Sequence, residues 1–167
     1  MSIDFLLSAY QLKSLSRAGW LRVGIEHPES VAAHSWGLAL LIMQYSPAHI
    51  NKERALELAM VHDLPEVIVG DITPHDPISK EEKRKREKIA AKKLLPPKLY
   101  LRWLEYQEQE SEESRFVHQL DKLDMAVQAL VYKDIAPTQE FLLSAQQSLS
   151  QELNQLLSQF QQEISHE

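Results

Sequence analysis

Four polar side chains carry the chemistry that this sequence could do: His34, His62, Asp63 and Asp121. His62 and Asp63 are adjacent and close a mostly apolar stretch, Ala55-Leu56-Glu57-Leu58-Ala59-Met60-Val61. A charged pair is costly in such a setting unless a partner or a cation neutralises it. Two imidazoles with two carboxylates make a mixed nitrogen and oxygen set suited to a divalent metal. The chain has no cysteine. Disulfides and thiolate zinc sites are therefore excluded, and any metal must be held by histidine and carboxylate. Spacing alone leaves a second reading open, in which the same groups form structural salt bridges. A lone histidine is more often a packed or surface residue than a ligand, and His27, His49, His118 and His166 are read that way.

The elements that must position these groups are helical almost throughout. Phe5, Ala9, Leu12 and Leu15 recur at helical spacing. The stretch Arg17 to Glu29, with Gly19, Gly24 and Pro28, reads as a loop. Ser30 is an N-cap for a helix from Val31 to about Tyr45, with His34, Leu38, Leu41, Ile42 and Tyr45 on one face. Asn51 caps the next helix, which reaches His62 and Asp63 and is broken or kinked by Pro65. Ile72 to Ser79 is a loop, Lys80 to about Leu95 a charged helix, and Lys98 to Gln107 a short one. Glu112 to Tyr132 reads as a long helix with Val117, Leu120, Asp121, Asp124, Val127, Gln128 and Val131 near one face. A single last helix is expected from Thr138 to about Ile164, where Leu142, Ala145, Leu149, Leu153, Leu156 and Phe160 keep a three-four period. No hairpin or alternating pattern appears. The fold expected is all-α, one domain over residues 1–167, with a core of about 12–133 and a C-terminal helix packing on that core or on a dimer partner.

A net charge of −6 offers no general attraction to nucleic acid or to an anionic membrane. A phosphorylated small molecule would need a locally positive site, which a bound metal can provide. The basic stretch around Lys83, Arg84, Lys85 and Arg86 is interleaved with Glu81, Glu82 and Glu87, as on a solvated helix face, and could add attraction for such a substrate. With only four glycines, the chain lacks a Gly-rich phosphate loop. The start, Met1-Ser2-Ile3-Asp4-Phe5, is not that of a signal peptide, and the longest apolar run, Trp36 to Met43, is too short to span a bilayer. A cytoplasmic location is expected.

Five blocks in order resemble the HD-domain phosphohydrolases, and more narrowly their 5'-deoxynucleotidase branch. They are Arg17-Ala18-Gly19-Trp20, Pro28-Glu29-Ser30-Val31-Ala32-Ala33-His34-Ser35, and His62-Asp63-Leu64-Pro65-Glu66 through Gly70-Asp71-Ile72-Thr73-Pro74. Lys80-Glu81-Glu82-Lys83 and Gln119-Leu120-Asp121-Lys122-Leu123-Asp124 complete the set. The likeness runs from about Leu12 to Lys133. It implies an all-helical HD-domain bundle that holds a divalent ion through His34, His62, Asp63 and Asp121, with a second, weaker cation helped by Glu66 and Asp71 left open. Ligand type admits Co, Mn, Mg, Zn, Ni or Fe. Asp124, one turn beyond Asp121, is a fallback ligand, with a helix-surface carboxylate as the favoured alternative. Many relatives carry an acidic residue before the first ligand, where this chain has Ala33.

The same resemblance gives Glu66 and Asp71 catalytic roles. Glu66 would orient or deprotonate the attacking water, and Asp71 would serve the leaving oxygen or the sugar. Arg17 would clamp phosphate, Trp20 would form a base-stacking or sugar-packing wall, and Thr73, less directly His75, would touch ribose or phosphate. The implied reaction is hydrolysis of deoxyribonucleoside 5'-monophosphates by a homodimer that binds a nucleotide but neither nucleic acid nor membrane. Three alternatives remain at this stage. One is the same fold acting on a cyclic nucleotide or a nucleoside polyphosphate, the second a non-catalytic nucleotide-binding or regulatory module, and the third a helical scaffold whose last helix only assembles partners.

Overall fold

The protein is described over residues 3–165 by a computed structural model, so His166 lies outside the described residues. The described residues are helical with no strand; Ser16 and Ser30 form one isolated antiparallel bridge. The order is α1 (Ile3–Tyr10), a 3-10 turn (Gln11–Lys13), α2 (Ala18–Arg22), α3 (Val31–Tyr45), α4 (Lys52–Val61) and α5 (Glu66–Val69). Then follow α6 (Lys80–Leu94), α7 (Pro97–Glu108), α8 (Glu112–Val131), α9 (Gln139–Ser148) and α10 (Gln151–Ser165). The caps are those the sequence announces. Ser30 Oγ accepts from the Ala33 amide at 3.1 Å, and Asn51 Oδ1 from the Arg54 amide at 3.0 Å. Each satisfies an amide that the first helical turn leaves without a partner.

α8 is the central element, packed against α3, α4, α7, α9 and α10. Leu38 and Ile42 of α3, Leu58 of α4, and Val117, Leu120 and Leu123 of α8 have no exposed surface. Burying each such side chain contributes about 1.5–3 kcal/mol. Tyr45 and Val131, expected on these buried faces, are 37% and 55% exposed. Each is the last residue of its helix, where the facing helix no longer covers it. A second cluster gathers Leu12, Val31, Val61, Leu64, Ala91, Leu95 and Trp103 and anchors α6 and α7 to the N-terminal turn.

Two expectations are corrected. The stretch Arg17 to Glu29 is not all loop, because α2 forms within it. Asp71 Oδ2 accepts from the Ala18 amide at 2.8 Å and so caps this short helix from a distant loop. The last helix is not continuous. Leu149 turns to φ −75°, ψ 148° and separates α9 from α10. The Gln119 side chain satisfies the break: its amide donates to Ser148 O at 3.0 Å, and its oxygen accepts from the Ser150 amide at 2.8 Å. The apolar stripe keeps phase across the break, so periodicity cannot reveal it. Leu142, Ala145, Leu149 and Leu157 are buried in the main core, with Leu153, Leu156 and Phe160 packed against it. The stripe is thus used within the chain. No described helix is long and apolar enough to cross a membrane.

Candidate metal centre and substrate cavity

α3 contributes His34 from its first turn, and α8 contributes Asp121 from near its middle. α4 ends just before His62, and the turn held by Pro65 sends Asp63 to the same point. Ligand atoms of His34, His62 and Asp63 lie within 4.8 Å of one another. His62 Nε2 is 3.0 Å from Asp63 Oδ2 and 3.3 Å from His34 Nε2. His34 Nε2 is 3.0 Å from Asp121 Oδ1 and 3.8 Å from Asp63 Oδ2. The structure therefore brings together all four groups that the sequence nominates.

The hydrogen bonds on the far side of each ring decide what this cluster is. His62 Nδ1 lies 2.8 Å from the Ala59 carbonyl, which can only accept, so Nδ1 carries a proton. His34 Nδ1 lies 2.7 Å from Asp124 Oδ2, so it too donates. In the neutral rings both Nε2 atoms then present lone pairs to each other and to two carboxylates. Asp63 Oδ2 is buried without a hydrogen bond of good geometry. Such a cluster of acceptors needs a positive charge at its centre, and its donor set fits a divalent ion. The Arg17 guanidinium, 3.5 Å from Asp63 Oδ2, and protons on the imidazoles are the local substitutes. Burial and Arg17 act to lower the His34 pKa, yet hydrogen bonds to Asp121 and Asp124 outweigh them and push it up to about 10. His62 is raised by Asp63 against the same penalty of burial. The carboxyls of Asp63 and Asp121 are held below their usual range by these imidazoles, despite burial.

Three residues around the cluster escape sequence reading in part or in full. Asp124 belongs neither to the surface nor, in this geometry, to the group of His34, His62 and Asp63. Its side chain is 13% exposed and its oxygen fixes the His34 ring. Gly37 makes room for it: a Cβ at that position would fall 2.3 Å from Asp124 Oδ1. Tyr106, on α7, donates its hydroxyl to Asp121 Oδ2 at 2.8 Å and orients that carboxylate. Nothing in its neighbourhood, Trp103 to Glu110, marks it in the sequence. Partners that orient ligands typically change metal affinity by about 10- to 100-fold when removed. Asp124→Asn and Gly37→Ala are both expected to weaken retention of the ion by about that factor in chelator competition. Wild-type retention in both variants would remove Asp124 from this role.

A cavity of about 520 Å³ opens beside the cluster, within the size range of small-molecule sites. Arg17 Nη1 stands 3.5 Å from Asp63 Oδ2, and although burial opposes its charge, Asp63, Asp71 and Asp121 hold its pKa above the ordinary value. Glu66 is 5% exposed and its Oε2 is buried without a hydrogen bond. Burial, then Asp63 and Asp71, push its pKa up to about 10. A cation in the cluster acts the opposite way, favouring the carboxylate. Asp71 lines the cavity while capping α2, so it also fixes the backbone that carries Arg17.

The remaining nominated residues are placed less simply. Trp20 touches the cavity but is only 2% exposed. Its Nε1 donates to Glu29 Oε1 at 3.0 Å, and its ring packs on Tyr132 and Phe141. Thr73 lines the cavity, but its amide and hydroxyl both bond Asp76 Oδ2 at 2.7 Å, stapling the loop. From α6, Lys83 is the basic residue that reaches the cavity, where its Nζ donates to the Ile72 carbonyl at 2.6 Å.

An all-helical bundle with a His, His-Asp and Asp cluster carried by α3, the turn after α4, and α8 defines a class of metal-binding domains. The family model described as HD domain matches residues 9–165, and the chain belongs to that family. The chain is 45% identical over 140 residues to the mouse protein named 5'-deoxynucleotidase HDDC2, covering 80% of this chain and 70% of that one. The human protein of the same name is 44% identical over 140 residues, covering 80% and 69%. Among solved structures, the PH0347 protein of Pyrococcus horikoshii superposes with a TM-score of 0.82 at 34% identity, covering 96% of this chain and 99% of that one.

Proposed function

We propose that this chain is a divalent-metal-dependent 5'-deoxynucleotidase, hydrolysing deoxyribonucleoside 5'-monophosphates to nucleoside and phosphate. One observation carries the reading. Two imidazole lone pairs and two carboxylates converge at the wall of a cavity that also holds Arg17 and Glu66. The names of the mouse and human relatives support the substrate class.

His34, His62, Asp63 and Asp121 would hold the ion, which supplies a lowered water pKa and a positive charge near the phosphoryl oxygens. Arg17 binds the phosphate through its planar fork and offsets charge that grows on those oxygens. Glu66 Oε2, which has no other hydrogen-bond partner, accepts a proton from the attacking water. The P–O5' bond breaks as the new P–O bond forms, and the departing oxygen takes up a proton, balanced by the one Glu66 received and releases, on the side of the cavity lined by Asp71. Lys83 adds positive charge at the cavity edge. The location is read as cytoplasmic. A homodimer rests on the family resemblance, since the apolar stripe of α9 and α10 is already covered by α8.

The test is phosphate release from the four deoxynucleoside monophosphates, run after metal stripping and re-addition of Co, Mn, Mg, Zn, Ni or Fe singly. Release restored by at least one ion is expected. Turnover confined to cyclic nucleotides or nucleoside polyphosphates, or none with any ion, would overturn the assignment.

A further inference from the structure

One wall of the cavity is built by the first two turns of α9, which carry Glu140, Phe141 and Ser144. These turns lie outside every sequence block nominated above. Their position is fixed from beneath, because Thr138 Oγ1 donates to the Ala129 carbonyl of α8 at 2.8 Å. Phe141 then comes to lie across α2. Its ring centroid is 4.3 Å from that of Trp20, tilted by 47°. The Arg22 guanidinium stands 5.7 Å from the ring centroid. Gly19 permits this seat: a Cβ there would meet Phe141 Cε1 at 3.3 Å. The ring is thus held by Trp20, Gly19 and Arg22, and it lines the cavity.

The residue next to it closes the outer edge. Glu140 pairs with Arg22 of α2 and lies 3.7 Å from Nε2 of His75, on the loop that follows Asp71. Three separate segments therefore meet at Glu140, and Phe141 faces inward behind them. In a cavity that also holds the ionic cluster, this supported aromatic ring is a flat apolar surface. Trp20 cannot serve in its place, since it is 2% exposed with Phe141 and Tyr132 on its ring.

We propose that Phe141 is the stacking platform for the nucleobase, so that the base is held through its flat face at the end of the cavity opposite the phosphate. This rests on the nucleotide reading of the cavity and deepens it by naming the specificity residue. Stacking is tolerant of base identity because every base has a π face. The four bases are therefore expected to be accepted with similar affinity, whereas a sugar phosphate without a base gains nothing from the ring.

The experiment compares wild type, Phe141→Ala and Phe141→Tyr of the full chain loaded with metal. Dissociation constants of deoxyadenosine and thymidine are measured by calorimetry, which needs no turnover. KM and kcat are measured for the corresponding 5'-monophosphates and for 2-deoxyribose 5-phosphate. Phe141→Ala is expected to weaken nucleoside binding and raise nucleotide KM by about 10- to 100-fold, the range of one lost base–aromatic stack. kcat and the KM for the base-free sugar phosphate should stay near wild type, and Phe141→Tyr should bind as wild type does.

Equal losses on the base-free substrate would mean that Phe141 merely supports Trp20, and would overturn the proposal. So would wild-type nucleoside affinity in Phe141→Ala, or no nucleoside binding by the wild type. Nucleoside binding that depends on Phe141 without phosphate release from nucleotides would sink the hydrolase reading alone.

Discussion

Asp121→Ala is expected to leave a folded helical protein that no longer holds its divalent ion and no longer releases phosphate. Asp121 joins the cluster through His34 Nε2 at 3.0 Å, and its other oxygen accepts from Tyr106 at 2.8 Å. Removing it takes away a quarter of the proposed ligand set, together with negative charge needed to balance a divalent ion in a buried site. The ion's contribution to a phosphoryl transition state is several kcal/mol, which corresponds to a loss of about 10³-fold or more in kcat/KM. The fold should persist, because the core contacts of α8 come from Val117, Leu120, Leu123 and Ala126 on neighbouring positions. Asp121→Asn keeps the shape and an acceptor for Tyr106, and separates loss of charge from loss of packing. Metal content by mass spectrometry and helicity by circular dichroism give the two readouts. A stoichiometric ion and turnover within tenfold of wild type in both variants would remove Asp121 from the ligand set.

Glu66→Gln is expected to keep the ion and lose the reaction. Glu66 begins α5, directly after Pro65, and is 5% exposed with Oε2 lacking a hydrogen-bond partner. An unpaired carboxylate oxygen is costly to bury, and the cost is understandable where the group receives a proton during turnover. Glutamine has nearly the same shape but cannot accept that proton. General-base catalysis is worth about 10²–10⁴-fold, so kcat should fall by that factor with metal content unchanged. The uncharged amide also avoids the burial penalty, and after it the repulsion from Asp63 and Asp71, that raise the Glu66 pKa, so the variant should be no less stable to heat than wild type. Retained kcat would mean that Glu66 does not carry the proton. Loss of metal along with activity would mean that it acts as a ligand instead.

The legibility of these residues follows from how local their signals are. Caps such as Ser30 and Asn51, and the break at Pro65, depend on neighbours a few residues away and were readable in the chain. His34, His62, Asp63 and Asp121 were readable as residue types in a recurring order. Asp124 was not, because a spacing of one turn fits a second ligand, an orienting partner and a surface carboxylate alike. Only the 2.7 Å contact with His34 Nδ1, in the space Gly37 leaves, selects among these. Tyr106 and Phe141 carry no marker at all, since their roles depend on helices far apart in sequence. The gap between α9 and α10 was hidden because its apolar residues stay in register and Gln119 satisfies the break from another helix.

By itself, the sequence determined that the chain is helical, that it has no thiolate chemistry, and which imidazoles and carboxylates are available for a cation. Propensity, capping and residue type are properties of the chain, so they survive being read in one dimension. The tertiary structure alone decided which ring nitrogens face one another, which carboxylate steadies a histidine and which aromatic ring lines the cavity. Those are matters of distances between packed helices, set by where Gly37 lets α3 approach Asp124 of α8 and where Gly19 seats Phe141 on α2.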